Sequence, residues 1–219
     1  MDLNRNYKTF MVAGFLMILV VVLLLIYTGV NAAPTLPTER LQELRVSYPA
    51  SNADHPYYNS RRLTFQEVVN QAESIIRAEV IGQLPEYEVD LFGAPNTPEY
   101  KVNEKKKNLS MPTSAAKFTR YEVKVIETIS GIPVTGSIEL VYNSDFKGVE
   151  PDLKTGMEII TTIGAGERSH AGKYFFTRYG TYYIVDNDYV LSAVDDDFSK
   201  KMNGKTMETL LDEIKEIKP

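Results

Sequence analysis

The first hydrophobic pattern in the chain is a block. Phe10 to Tyr27 is unbroken apolar sequence plus Gly14, with no charged residue until Glu39. A membrane helix needs roughly 17–25 such residues, while the apolar part of a cleaved leader has about 7–15. The length predicts a retained transmembrane signal-anchor over residues 10–30. Val30-Asn31-Ala32 offers small residues for cleavage near Ala32, so secretion is the second expectation. Arg5 and Lys8 precede the block, and no base follows it before Arg40. Positive charge is retained on the cytoplasmic side. Residues 1–9 are therefore expected in the cytoplasm, with the body outside a single-pass cell membrane and membrane lipid as the partner of residues 10–30.

Beyond the block the pattern changes character. Residues 31–62 carry Pro34, Pro37, Pro49 and Pro56 and read as an extracytoplasmic tether, with a short helix at Thr38–Arg45. A helix is predicted over Leu63–Glu73. Thr64 and Glu67 have capping-box spacing, and Phe65, Val68, Val69 and Ala72 fall on one face. A strand follows in Ile76-Arg77-Ala78-Glu79-Val80, where apolar and charged residues alternate. Residues 92–115 read as a long loop with three prolines and the run Lys105-Lys106-Lys107. Solvation is the first reading of that run, and a surface or polyanion contact is the second.

Short strands then come quickly: Tyr121–Val125, Ile138–Tyr142, Met157–Ile163, Lys173–Arg178, Thr181–Val185 and Tyr189–Ala193. Tyr179-Gly180 and Asp186-Asn187-Asp188 sit between strands as hairpin turns. A closing helix near Lys205–Ile217 puts Met207, Leu210, Leu211, Ile214 and Ile217 on one face. Residues 63–219 are thus expected to form one mainly β domain with flanking helices, of sandwich or barrel type.

Charge and composition narrow the function. The chain has 24 Lys+Arg against 29 Asp+Glu, and the part after residue 9 carries a formal −6. Nucleic acid is not an expected partner, because phosphate binding needs a local excess of Lys and Arg. Cysteine is absent, which removes disulfides, thiolate metal sites, cysteine nucleophiles and a lipid-anchor cysteine together. The chain has two histidines, His55 in the tether and His170 beside Ser169. Adjacency does not make a nucleophile and base, which must meet in space with a third group orienting the base. Asp186–Asp188 and Asp195–Asp197 are rich in oxygen, but neither has EF-hand spacing. They read as a turn and a strand exit. No catalytic residue, metal site or cofactor is expected. The aromatic density at Tyr174, Phe175, Phe176, Tyr179, Tyr182 and Tyr183 has two readings. One is core and sheet filling. The other is a ligand or partner face made by Tyr174, Phe176, Tyr179, Tyr182 and Tyr183.

The order of the pieces carries a resemblance. A helix leads through Ala72-Glu73-Ser74-Ile75-Ile76-Arg77-Ala78-Glu79-Val80 into a first strand. Then come Tyr121-Glu122-Val123-Lys124-Val125-Ile126-Glu127-Thr128-Ile129-Ser130-Gly131, Gly136-Ser137-Ile138-Glu139-Leu140 and Leu153-Lys154-Thr155-Gly156-Met157-Glu158-Ile159-Ile160. Over Leu63 to Val194 this resembles the netrin-like module, found also in tissue inhibitors of metalloproteinases, and cysteine-free exported proteins of Gram-positive bacteria. The resemblance implies a small Greek-key barrel of the oligonucleotide/oligosaccharide-binding (OB) type. The metalloproteinase inhibitors act through an N-terminal cysteine, which is absent here, so no functional residue carries over. The expected function is a membrane-anchored, non-enzymatic binding module for a protein, peptide or glycan partner at the cell surface. A cell-surface hydrolase or a protease regulator is the alternative.

Overall fold

The structure is a computed structural model that describes residues 34–52, 62–90, 96–111 and 115–218. The apolar block, the Val30–Ala32 stretch and His55 lie outside the described residues. The chain divides into two units, Met1–Pro34 and Thr35–Pro219, and the described strands and helices belong to the second.

Its strands are β1 (Ser51–Asn52), β2 (Ser74–Asp90), β3 (Ala115–Gly131), β4 (Ser137–Asn143), β5 (Glu158–Ala165), β6 (Lys173–Phe175), β7 (Thr181–Val185), β8 (Tyr189–Ser192) and β9 (Val194–Asp195). Seven of them form one mixed sheet in the order β2-β3-β4-β6-β5-β7-β8, and β2 pairs with β5 as well. Five strands therefore close into a ring of pairings, β2-β3-β4-β6-β5 and back to β2. Only the β4–β6 pair in it is parallel. A strand that serves two neighbours in a ring must coil. The β2–β3 register slips between Ile75/Ile76, Arg77/Ala78, Val80/Gly82 and Leu84/Tyr87, and such irregularities bend a strand and raise its twist.

Adjacent residues on these strands go to opposite sides, and both sides are buried. Ile76, Tyr121, Leu140, Ile159, Tyr183 and Leu191 meet inside the ring. Ile75, Ile160, Tyr182 and Val190 face the other way. They are covered by α2 (Phe65–Gln71), α4 (Asp197–Met202) and α5 (Met207–Ile217) through Phe65, Met202, Leu210 and Ile214. Alternating side chains with two covered faces need near-continuous apolar sequence, which explains Ile159-Ile160 and Tyr182-Tyr183-Ile184-Val185. The capping box forms as the spacing predicts: Glu67 N–H donates to Thr64 Oγ1 at 3.2 Å, and Thr64 N–H to Glu67 Oε2 at 2.9 Å.

Three segments differ from the sequence expectation. Part of the stretch predicted as a tether, residues 35–52, packs on the body. Its helix α1 (Thr38–Ser47) buries Leu44 among the ring's interior residues. Arg40 grips Asp186 with two bonds of 2.8 Å, and Arg45 donates to the Ser192 carbonyl at 2.7 Å. β1 then runs parallel to β9. Pro37 and Pro49, which suggested a tether, flank these elements instead of interrupting them. Second, the predicted loop at 92–115 holds a helix, α3 (Pro98–Asn108). Thr97 caps it, Pro98 starts it where a missing N–H is harmless, and the three lysines close it. Third, the predicted strand Lys173–Arg178 ends at Phe175, and Arg178–Gly180 forms a 3-10 turn.

Gly131 stands opposite Ser74 at φ +91°, and a Cβ there would lie 2.1 Å from the Glu73 carbonyl oxygen. Gly131→Ala is expected to cost about 2 kcal/mol or more, read from the urea midpoint. Leu44→Ala should cost about 2–4 kcal/mol and speed hydrogen exchange through residues 38–48, since it empties a buried site. Unchanged exchange there would mean that α1 is not held by this contact.

Candidate functional site

β2 pairs with β5 only as far as Glu79, whereas its pairing with β3 continues to Asp90. The β2–β3 hairpin therefore extends past β5 as an arm. Two consecutive residues hold that arm down from its opposite sides. Glu86 accepts hydrogen bonds from Lys147 Nζ at 2.6 Å, Ser144 Oγ at 2.7 Å and Thr119 Oγ1 at 3.3 Å. These donors, with Lys147 first, lower its carboxyl to about 2. Tyr87 points the other way. It lies opposite Phe118, the two rings stacked 5.3 Å apart at 24°.

Phe118 and Arg120 are out of phase with Tyr121 and Val123, so they project from the outer side of β3. The strand register continues this outer row through Glu139 and Val141 of β4 to Lys173 and Phe175 of β6. Arg120 Nη1 meets Glu139 Oε2 at 3.3 Å. The guanidinium lies 5.9 Å from the Tyr87 ring centroid, and Lys173 Nζ lies 4.9 Å from it. Each such cation–π contact contributes about 0.5–1 kcal/mol at a partly exposed site.

The connection between β5 and β6 completes the patch. It turns through a 3-10 segment, Arg168–His170, with Arg168 at φ +51°. Gly166 lies so close that a Cβ would sit 2.5 Å from the His170 carbonyl oxygen. This tight turn brings the His170 ring edge-on to Phe118 at 4.5 Å and to Phe175 at 4.9 Å. Its Nδ1 is 2.6 Å from the Tyr87 hydroxyl. Partial burial lowers the His170 pKa, and the nearby Lys173 charge lowers it further. With the imidazole neutral, the phenol donates and Nδ1 accepts. Tyr87 shifts upward, mainly through desolvation and then through the Glu139 charge. Four chain segments thus build one aromatic patch with cations at its edge. A shallow apolar groove of about 210 Å³ adjoins it at Phe175, lined also by Leu63, Val68, Ala72 and Ile163.

The five residues expected to form a ligand face are not brought together. Phe176 and Tyr183 pack inside the ring, with Tyr174 half-buried against the same cluster. Tyr182 lies in the core under the helices. Tyr179 packs with Val68 and Val194, with the Arg178 guanidinium 4.8 Å from its ring. Phe176, Tyr179, Tyr182 and Tyr183 are all buried, so they serve packing and present no face to a partner. From that stretch Phe175 alone joins the outer patch. Tyr87, Phe118, Arg120 and Lys173 were not singled out by sequence, although the parity of Phe118 and Arg120 against Tyr121 and Val123 already marked an outer row.

The acidic runs have structural uses. Asp186 and Asn187 both take positive φ in the β7–β8 turn, and Asp186 binds Arg40. Asp196 caps α4 by accepting from the Ser199 amide at 2.7 Å. Among the described residues no group of three or more His, Asp or Glu side chains is arranged to hold a metal ion. No protein-family model matches the sequence, and no curated protein matches it.

A folded pKa below the ordinary value of 6.5 means that the unfolded chain binds the proton more readily. The stability contributed by neutral His170 is then complete above pH 6.5 and is lost as pH falls through the lower folded value. NMR titration of His170 should give a pKa below 6.5, and Lys173→Gln should raise it. A pKa at or above 6.5 in the wild type would contradict the packing described.

Proposed function

We propose that this chain is a membrane-anchored, extracytoplasmic binding module, non-enzymatic, whose partner docks on the patch formed by Tyr87, Arg120, His170, Lys173 and Phe175, with the buried Phe118 ring packed beneath them. The observation that carries the reading is where the patch lies on the ring. Numbered along the ring-forming strands, β2 to β6 pair as first-second-third-fifth-fourth, and the fourth returns to the first. That order supports the OB-type, netrin-like barrel that the sequence resembles. Modules of that type hold oligomeric ligands on the face of their second and third strands, between the first and fourth connections. The patch occupies that position, between the β2–β3 arm and the Arg168–His170 turn. Aromatic rings and partly exposed cations suit a peptide or glycan carrying acidic groups. His170 supports the non-enzymatic part, because its ring serves as a joint between Tyr87, Phe118 and Phe175.

The absence of cysteine allows one experiment to test place and binding together. Ser169→Cys puts a thiol on the exposed turn beside the patch. On intact cells it should react with a membrane-impermeant thiol reagent that carries a photo-crosslinker. Irradiation should then give a discrete adduct that Lys173→Glu abolishes. The same reagent on Lys154→Cys should give none. Labelling only after lysis would overturn the extracytoplasmic placement. Labelling without an adduct above the Lys154→Cys background would overturn the binding role.

A further inference from the structure

The groove beside Phe175 has a glycine for part of its floor. Gly164 of β5 lines it and stands opposite Phe175 of β6 in the register. Opposed residues of an antiparallel pair project to the same side. The outer row through Arg120, Val141 and Phe175 thus ends on Gly164, where the groove meets Leu63, Val68 and Ala72 of the helix side. The backbone does not require glycine at this position. Gly164 is not one of the glycines with positive φ, and no atom lies within 4 Å of where its Cβ would be. Glycine weakens a strand, and where no turn or bulge needs it, it marks a place where another chain approaches closely. A larger side chain at 164 would stand in the groove.

On the same face of β6 lies a cation that no carboxylate holds. Lys173 Nζ sits 4.9 Å from the Tyr87 ring centroid. Its register partner on β4, Glu139, pairs with Arg120 instead. Among the described residues no carboxylate oxygen comes within 4.0 Å of the ammonium. In a chain with 29 acidic residues against 24 Lys+Arg, such a cation is open to an anion from outside. Lys173 and Phe175 are two residues apart, about 7 Å along the strand. An extended peptide repeats its own side chains with the same period. A glycan has no aliphatic side chain to place over Gly164. We infer that the partner of the patch is an extended peptide segment, with an aliphatic side chain in the groove over Gly164 and an acidic side chain two residues away on Lys173. The inference rests on the patch reading of the proposed function and narrows its partner from peptide or glycan to peptide.

The test uses the purified full chain in non-ionic detergent with fluorescein-labelled, capped nonapeptides of glycine and serine. Each peptide carries one leucine and one glutamate two residues apart, in either order, and anisotropy reads the binding. One of the two orders should bind saturably below about 1 mM. In that peptide, leucine changed to alanine should weaken binding about ten-fold. Glutamate changed to glutamine, or moved one position further, should weaken it about five-fold. With Gly164→Leu the preference for leucine should vanish while the preference for glutamate stays. With Lys173→Gln the preference for glutamate should vanish while the preference for leucine stays. Each variant keeps the preference that the other loses, which an unfolded domain would not. On cells, Gly164→Leu should abolish the adduct formed through Ser169→Cys. An adduct that survives Gly164→Leu, or peptide binding indifferent to it, overturns the inference and leaves the patch standing. An adduct that forms although no peptide binds does the same, and its displacement by hyaluronan fragments would assign the patch to an acidic glycan. Absence of both the adduct and peptide binding overturns the patch reading, and the inference with it.

Discussion

Strands β5, β7 and β8 are apolar on both faces, and the rest of the domain is arranged to cover them. Ile159 and Ile160, Tyr182 and Tyr183, and Val190 and Leu191 are neighbouring pairs split between two cores. A strand places successive side chains on opposite sides, so one face alone cannot bury such a pair. The ring closes over one member of each pair, and α2, α4 and α5 close over the other. A one-residue slip in any of these strands would exchange the two sets, moving tyrosines and isoleucines into spaces shaped for their neighbours. Burial on both faces therefore fixes register more firmly than burial on one. It also explains why the aromatic-rich stretch at 174–183 is mostly interior. Two cores sharing one sheet need large side chains on both sides of it.

That constraint decided what could be read from the sequence. The strands around Ile138, Ile159, Tyr183 and Val190 were legible because apolar runs ended at glycines or at turn residues. Thr64-Phe65-Gln66-Glu67 was legible because a capping box is a local device and needs no tertiary context. The full lengths of β2 and β3 were not, since alternation weakens where their arm passes beyond β5 and β2 has β3 as its one strand partner. The α3 helix was hidden by the local abundance of proline, lysine and asparagine, although Thr97-Pro98 is a sound helix start. Its stability owes little to burial, and composition alone cannot separate a capped polar helix from a loop. α4 was hidden because the acidic run Asp195–Asp197 reads as an exit from a strand, while Asp196 is also the cap of the next helix.

The candidate site was less legible than the fold, for a related reason. The density of tyrosine and phenylalanine drew attention to one stretch, but density does not distinguish a core with two sides from a surface. The patch is assembled from positions far apart in sequence, each ordinary by itself. Tyr87 lies on the β2 arm, Phe118 and Arg120 on β3, His170 in a turn, and Lys173 and Phe175 on β6. What makes them a unit is the curl of the β2–β3 arm, held by Glu86 on one side and by the Tyr87–His170 hydrogen bond on the other. One residue fixes the arm to the turn after β4 and the next fixes it to the turn before β6. Neither attachment follows from strand periodicity.

The packing of residues 35–52 also changes what the domain is. A free tether would leave the ring's interior residues uncovered where Leu44 now lies, and would leave Asp186 and the Ser192 carbonyl to water. Arg45 is half-buried, and desolvation lowers its pKa despite the opposing effects of Tyr183 and Asp195. A guanidinium held in that position is bound to the Ser192 and Tyr48 carbonyls at 2.7 and 3.1 Å. The segment 35–52 is thus joined to β9 through β1, to the core through Leu44 and to the β7–β8 turn through Arg40. A pull on the chain at residue 35 would be carried directly to β8 and β9, the strands beside α4.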